Sequence, residues 1–145
     1  MAKIHACLLS GRYRFDSLTK HWSSKVTGYC YLSPLCRDQL DDVVHMLKNC
    51  SPLQPTRQKM IDFTLSYSKK LPHEVSFFLQ NNCIPSNEKF CQLLMDCSVI
   101  PEVIVFKQNF GPDILAHLFN ITRTWIYVLH RERTALRLAQ KPLND

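Results

Sequence analysis

The amino-acid sequence predicts a mainly α-helical protein, a compact bundle of five to six helices with a small extended segment at the N-terminus. Three observations lead to this fold class. Five of the eight prolines stand just ahead of stretches with apolar residues at helical spacing, where a proline suits the first helical turn. Only three glycines interrupt the chain, and 46% of the residues are hydrophobic against 21% charged. A chain of 145 residues with this composition is expected to form one domain around a single core.

The first 32 residues are predicted to form a basic, aromatic flap that packs on the main body. Residues 3–9 and 12–15 suggest two short extended runs about a turn at Ser10-Gly11, which would be a β-hairpin, and residues 25–32 suggest a third. A helix from Ile4 to Leu9 competes with the first run, because six residues cannot separate a period of 2 from a period of 3.6. The sequence leaves the choice between strand and helix open.

Residues 33–130 are predicted to form the helical core domain. The clearest helix follows Ser33-Pro34, where four apolar residues recur at positions i, i+3, i+4 and i+7, namely Leu40, Val43, Val44 and Leu47. Further helices are predicted after Pro55, after Pro72 and around residues 86–94. The segment after Pro101 suits a helix or a strand, because it is rich in β-branched residues.

The last predicted helix begins at Asp113, after the break at Gly111-Pro112. On a helical wheel its apolar residues share about half of the circumference as far as Leu129. Beyond that point Glu132 and Arg133 fall inside the apolar stripe. We therefore expect the buried face to end near Leu129 and residues 131–145 to form a solvated, basic extension.

The residues that could carry chemistry show no pattern typical of an enzyme. There is no glycine-rich phosphate loop, nucleophile elbow or His-Glu-x-x-His motif, and the six histidines are dispersed. The one local acidic group, Asp38, Asp41 and Asp42, is explained as the charged start of a helix. The sequence predicts no enzyme, no catalytic residue and no cofactor.

The seven cysteines form no Cys-x-x-Cys pair and their number is odd. Structural metal sites usually show closely spaced ligand pairs, and secreted disulfide scaffolds usually have an even count. We therefore expect buried, reduced thiols that pack as small hydrophobic residues, and no metal site.

The distribution of charge points to a binding function. The net charge of +6 is concentrated in residues 1–36 and 120–145, while the middle of the chain is close to neutral. If the two ends meet, they form a basic surface suited to an acidic protein surface or an amphipathic helix. We expect this surface in a small adaptor or complex subunit, with six contact residues: Arg12, Arg14, Trp22, Arg131, Arg133 and Arg137. Nucleic-acid binding through the same basic and aromatic residues is the alternative.

The sequence also predicts where the protein resides. No apolar run approaches the roughly 20 residues that span a bilayer, and the N-terminus lacks the pattern of a signal peptide. We expect an intracellular protein, cytoplasmic or nuclear, without a membrane span. Apolar area exposed on a small helical domain makes a homodimer a further expectation.

Three short stretches resemble two known families. Residues 108–119, "QNFGPDILAHLF", resemble the BH1 segment of Bcl-2-like proteins, which would make Asn109, Phe110 and Gly111 part of a groove for a partner helix. Residues 31–40, "YLSPLCRDQL", are similar to the Elongin-binding box of SOCS-type ubiquitin-ligase receptors through Leu32, Cys36 and Leu40. Residues 71–79 resemble the cullin-contacting part that follows this box. Each resemblance implies an alternative function as a binding protein.

Overall fold

The computed structural model describes residues 2–9, 13, 15 and 27–140. This part of the chain is mainly helical, which confirms the predicted fold class at that level. Its six α-helices are α1 (Ala2–Leu9), α2 (Gln54–Ser68), α3 (His73–Asn82), α4 (Phe90–Asp96), α5 (Pro101–Phe110) and α6 (Asp113–Ala139). Extended pairing in the described residues is limited to one antiparallel bridge between Tyr29 and Leu40. None of the described helices has the length and hydropathy that crossing a membrane requires.

Helix α6 is the element on which the others pack. It contacts α1, α2, α4 and α5 as well as the turns at His45–Asn49 and Ser51–Leu53. Its buried face follows the predicted stripe through Leu118 and Trp125 to Leu129 and continues one turn further to Arg133. The Trp125 indole donates to Thr64 Oγ1 of α2 over 2.8 Å, which satisfies its polar atom inside the core.

Four of the five prolines singled out in the sequence mark helix starts as predicted, and Pro34 begins only a short 3₁₀ turn. Pro55 lies in the first turn of α2, Pro101 begins α5, and Pro72 and Pro112 immediately precede α3 and α6. The β-branched segment after Pro101 is a helix, because the spacing of the buried Val103 and Phe106 suits one helical face. Gly111 ends α5 with a φ of 83°, a conformation that side chains disfavour.

The N-terminus shows which of the two open alternatives forms. Residues 2–9 are helix α1, so the extended interpretation of residues 3–9 is wrong and the competing helix is observed. His5 and Leu8 point into the core, and a nitrogen of the His5 ring lies 2.5 Å from the Met95 carbonyl oxygen. The predicted turn at Ser10-Gly11 and most of the second run lie outside the described residues. Of the third run, Tyr29 pairs with Leu40.

Residues 27–53, which we call the cysteine segment, differ from the prediction. The continuous helix expected after Pro34 does not form, and Leu40 and Val44 are about half exposed. A 3₁₀ turn (Pro34–Cys36) leads instead to the bridge at Leu40, and a π-helical turn (His45–Asn49) follows. The apolar spacing was misleading because the segment is held by polar contacts. Within the segment, the Cys30 N–H donates to the Gln39 carbonyl and the Asp41 N–H donates to the Gly28 carbonyl. Two further carbonyls of the segment accept from a buried arginine of α2.

Candidate functional site

The two ends of the described chain meet, as a basic binding surface requires. Helix α1 packs against α6, and the last turns of α6 border a cleft of about 450 Å³. The cleft has an apolar and aromatic lining with three basic side chains and no acidic one among its described residues: Lys3, Ile4, Cys7, Tyr13, Tyr31, His130, Arg133, Thr134, Arg137 and Leu138. We call this surface the basic cleft.

The wall of the basic cleft is fixed by a polar pair. The Tyr13 hydroxyl lies 2.6 Å from His130 Nδ1, and the two rings pack edge to face. Burial raises the pKa of Tyr13, and burial followed by the charge of Arg133 lowers the pKa of His130. Both shifts favour the neutral forms, so this wall is held by a neutral hydrogen bond.

Arg133 and Arg137 reach the cleft from α6 and share one carboxylate. Asp41 Oδ2 accepts from Arg133 Nη2 at 2.6 Å and from Arg137 Nη1 at 3.2 Å. The Arg133 guanidinium also lies over the rings of Tyr13 and Phe15, 5.6 and 5.2 Å from their centres. The prediction that Arg133 lies in a solvated extension is therefore wrong, because its side chain is only 5% exposed and pairs with a buried acid.

The other predicted contact residues are spread over the molecule. Arg131 is exposed and lies over Tyr127, outside the lining of the basic cleft. The predicted contacts at positions 12, 14 and 22 lie outside the described residues. Asn109, Phe110 and Gly111 join α5 to the start of α6, whose 27 residues span about 40 Å, so they are far from the cleft at its other end.

The residues of the second resemblance do not share a helix face. Leu32 and Cys36 are buried, whereas Leu40 is 44% exposed and belongs to the bridge with Tyr29. The positions of these three residues follow from the packing of the cysteine segment.

Asp42 caps the helical turn that follows it, since its Oδ1 accepts from the His45 backbone N–H at 2.8 Å.

A second candidate site lies inside the cysteine segment. Cys30, Cys36, His45 and Cys50 each offer one sulfur or ring nitrogen, and these four atoms lie within 4.8 Å of one another. All four side chains are buried, with exposures of 3%, 0%, 4% and 1%. The predicted burial of these thiols is found, but they form one group with an imidazole, which the spacing of the cysteines does not reveal.

Local backbone structure brings the four side chains together. Cys30 follows the Tyr29–Leu40 bridge and donates its backbone N–H to the Gln39 carbonyl at 2.9 Å. Cys36 ends the 3₁₀ turn that begins at Pro34. The π-helical turn places His45 and Cys50 on the same side, since the Cys50 N–H donates to the His45 carbonyl at 2.7 Å. The bridge, the 3₁₀ turn and the π-helical turn thus bring their side chains to one point.

The two ring nitrogens of His45 and the thiols of Cys30 and Cys50 have different hydrogen-bonding environments. His45 Nδ1 lies 2.8 Å from Gln39 Oε1, an oxygen that can only accept, so Nδ1 carries the ring proton. Nε2 is then a lone-pair nitrogen, and it is buried with no hydrogen-bond partner among the described residues. A hydrogen bond from Cys50 lowers the pKa of the Cys30 thiol, and that bond together with burial raises the pKa of Cys50.

Arg57 of α2 closes one side of the group. Arg57 is 1% exposed, and its guanidinium donates to the carbonyls of Met46, at 3.2 Å, and Cys50. Burial lowers its pKa, while Cys50 and Cys36 act in the opposite direction. In the described part of the chain no carboxylate forms an ion pair with this arginine.

The one sequence signal for this group is the spacing from His45 to Cys50. Four residues separate them, which lies within the usual range for the second ligand pair of a zinc site. The first pair, Cys30 and Cys36, is separated by five residues and lies outside the usual range of two to four. A pattern of closely spaced cysteine pairs therefore does not reveal this group.

Comparison of the chain with protein-family models, with curated proteins and with solved structures finds no match.

Proposed function

We propose that the protein is a non-enzymatic interaction module, a small adaptor or complex subunit, that binds an acidic, amphipathic segment of another protein in the basic cleft. The observation that carries this proposal is the cleft itself, at the meeting of the two basic ends of the chain. Its volume of about 450 Å³ accommodates several side chains of a partner.

The lining supports a partner with one apolar and one acidic face. Ile4, Tyr31 and Leu138 offer apolar area, and Leu138 and Tyr31 are 62% and 44% exposed. Lys3 and the partly exposed Arg137 provide positive charge at the same surface, while the buried Arg133 shares Asp41 with Arg137 behind it. A helix with apolar residues on one side and carboxylates beside them would complement both properties.

The surroundings of the histidines support a binding function over catalysis. His5 bonds to a backbone carbonyl, and His117 and His130 bond to tyrosine hydroxyls. Such partners position an imidazole as part of the packing. None of the described cysteines forms a disulfide, which suits a reducing compartment and supports our placement of the protein inside the cell, in the cytoplasm or nucleus.

The proposal is tested by replacing Leu138, whose side chain projects from the cleft, with glutamate. Leu138→Glu adds a negative charge where the partner's apolar face would lie, so we expect recovery of the partner from cell extract to fall at least about tenfold, equivalent to about 1.4 kcal/mol. The matched control is Ile104→Glu, because Ile104 is 45% exposed on α5 and is absent from the described cleft lining. Both variants should keep the wild-type melting temperature.

A photo-crosslinking residue at position 138, with position 104 as control, then identifies the occupant. A cross-link from position 138 to a different protein that persists after nuclease treatment supports the proposal. Cross-links to nucleic acid, or to a second copy of the chain, would contradict it, as would equal recovery of partner by the two glutamate variants.

A further inference from the structure

We propose that Cys30, Cys36, His45 and Cys50 bind one structural Zn²⁺ ion. The site is independent of the basic cleft and of the binding function proposed for it. It rests on the convergence of four buried ligand groups from the bridge, the 3₁₀ turn and the π-helical turn of the cysteine segment.

The distances suit a tetrahedral ion. With a Zn–S bond of about 2.3 Å, two sulfur ligands of a tetrahedral site lie about 3.8 Å apart. The four candidate ligand atoms lie within 4.8 Å of one another, so small side-chain rotations bring them to bonding distance. A set of three sulfurs and one imidazole nitrogen favours Zn²⁺ over the oxygen-preferring Mg²⁺ and Ca²⁺.

The histidine has the environment of a metal ligand. Its Nδ1 donates to Gln39, and the lone pair of Nε2 is buried without a hydrogen-bond partner among the described residues. Leaving such an atom unsatisfied in a protein interior costs stability. A metal ion at Nε2 removes this cost, and the Gln39 contact is the kind of outer hydrogen bond that orients a ligating imidazole.

The charges balance when the ion is present. A zinc ion with three thiolates and a neutral histidine carries one net negative charge. Arg57 supplies one positive charge beside the group, where it bonds the carbonyls of Met46 and Cys50 and has no carboxylate partner in the described chain. A buried arginine without a counter-ion is costly, and the zinc–thiolate group provides one.

The site has the character of a structural centre. Four protein ligands complete the tetrahedral coordination and all are buried, so no position is left for water or substrate. The segment that supplies them has little regular structure, and its folding would be coupled to binding of the ion. An open pocket whose lining includes Gln39, His45 and Asn49 borders the same segment.

The direct test is the metal content of untagged, full-length protein purified with a reductant and without chelator. We expect inductively coupled plasma mass spectrometry to find about one zinc ion per chain. Exchange with Co²⁺ should give the d–d bands of a tetrahedral ion and the charge-transfer bands of thiolate ligands. This spectrum reports the ligand set in the wild-type protein and needs no variant to fold.

Variants locate the site. Cys36→Ser should lower the zinc content at least about tenfold. The matched controls are Cys83→Ser and Cys97→Ser, because both thiols are 1% exposed but lie outside the group. Gln39→Ala leaves all four ligands and should weaken zinc affinity by about 10–100-fold in competition with a chelating dye.

Three outcomes would overturn the proposal. The first is folded, reduced protein that contains no zinc and gives no thiolate–cobalt spectrum, which would make the group buried thiols only. The second is a disulfide within the group under the same conditions. The third is an equal loss of zinc in Cys36→Ser and in the two cysteine controls.

Discussion

Helix α6 and the cysteine segment are both buried against the same core, but different forces order them. Helix α6 has 27 residues, a regular backbone and a buried apolar face. The cysteine segment has two short 3₁₀ turns, one π-helical turn and one bridge, and its buried residues include three thiols, a histidine and Asp41. The first is ordered by periodic burial, and the second by particular polar contacts.

This difference determines which substitutions each region tolerates. In α6, the loss of buried volume should be the main way to destabilise the protein. In the cysteine segment, the loss of a single polar partner should be as damaging, because it leaves another buried polar group unsatisfied. The two regions are joined where Arg133 and Gln140 contact Asp41 and the Leu32 carbonyl.

The largest effect should come from breaking the buried link between the regions. Arg133→Glu would place a carboxylate beside Asp41, whose side chain is 3% exposed, and should lower the free energy of unfolding by about 3–5 kcal/mol or more. Arg131→Glu is the control, since Arg131 is exposed, and should change it by less than about 0.5 kcal/mol. Denaturation in urea measures both values. Similar effects at the two positions would mean that the Asp41 pair does not join the regions.

A smaller effect is expected from removing volume within α6. Leu118 is fully buried, so Leu118→Ala should cost about 2–5 kcal/mol. Leu138→Ala, on the same helix at 62% exposure, should cost less than about 0.5 kcal/mol. Thermal and urea unfolding of the pair measure the difference. A cost below 1 kcal/mol at Leu118 would contradict the view that periodic burial orders α6.

The smallest of the three effects should come from the second link. Gln140 Nε2 donates to the Leu32 carbonyl at 2.6 Å, and Gln140→Ala should cost about 0.5–1.5 kcal/mol. Gln58→Ala is the control, because the exposed Gln58 donates its amide to an exposed aspartate of its own helix. Hydrogen exchange near Leu32 should rise in the first variant alone. Unchanged exchange there would limit the connection between the regions to Asp41.

Where periodicity and the fold agree, prediction from the sequence succeeded. The start of α6 at Asp113, its buried residues up to Leu129 and the helices after Pro55 and Pro72 are all found. The buried face of α6 was predicted to end too early because Arg133 is charged. A helical wheel cannot show that Arg133 pairs with Asp41, which lies 92 residues away in the chain. The helix predicted after Pro34 failed for a related reason, since Leu40 and Val44 follow helical spacing without being buried.

The two candidate sites also differ in how far the sequence predicts them. The meeting of the basic ends follows from charge distribution together with the packing of α1 on α6, and only the first of these is visible in the sequence. The group of Cys30, Cys36, His45 and Cys50 was not predicted, because its members come from a bridge and two turns whose relative positions depend on contacts with Arg57 and Gln39.

By itself the sequence determined the mainly helical class, most helix starts and the apolar face of α6, because local propensity and the periodic burial of side chains act over a few residues. Only the tertiary structure decided which partner each buried polar group has. It paired Arg133 with Asp41, placed Arg57 beside the thiols and brought four potential zinc ligands to within 4.8 Å. A buried charge or thiol requires a partner, and the partner can come from any part of the chain.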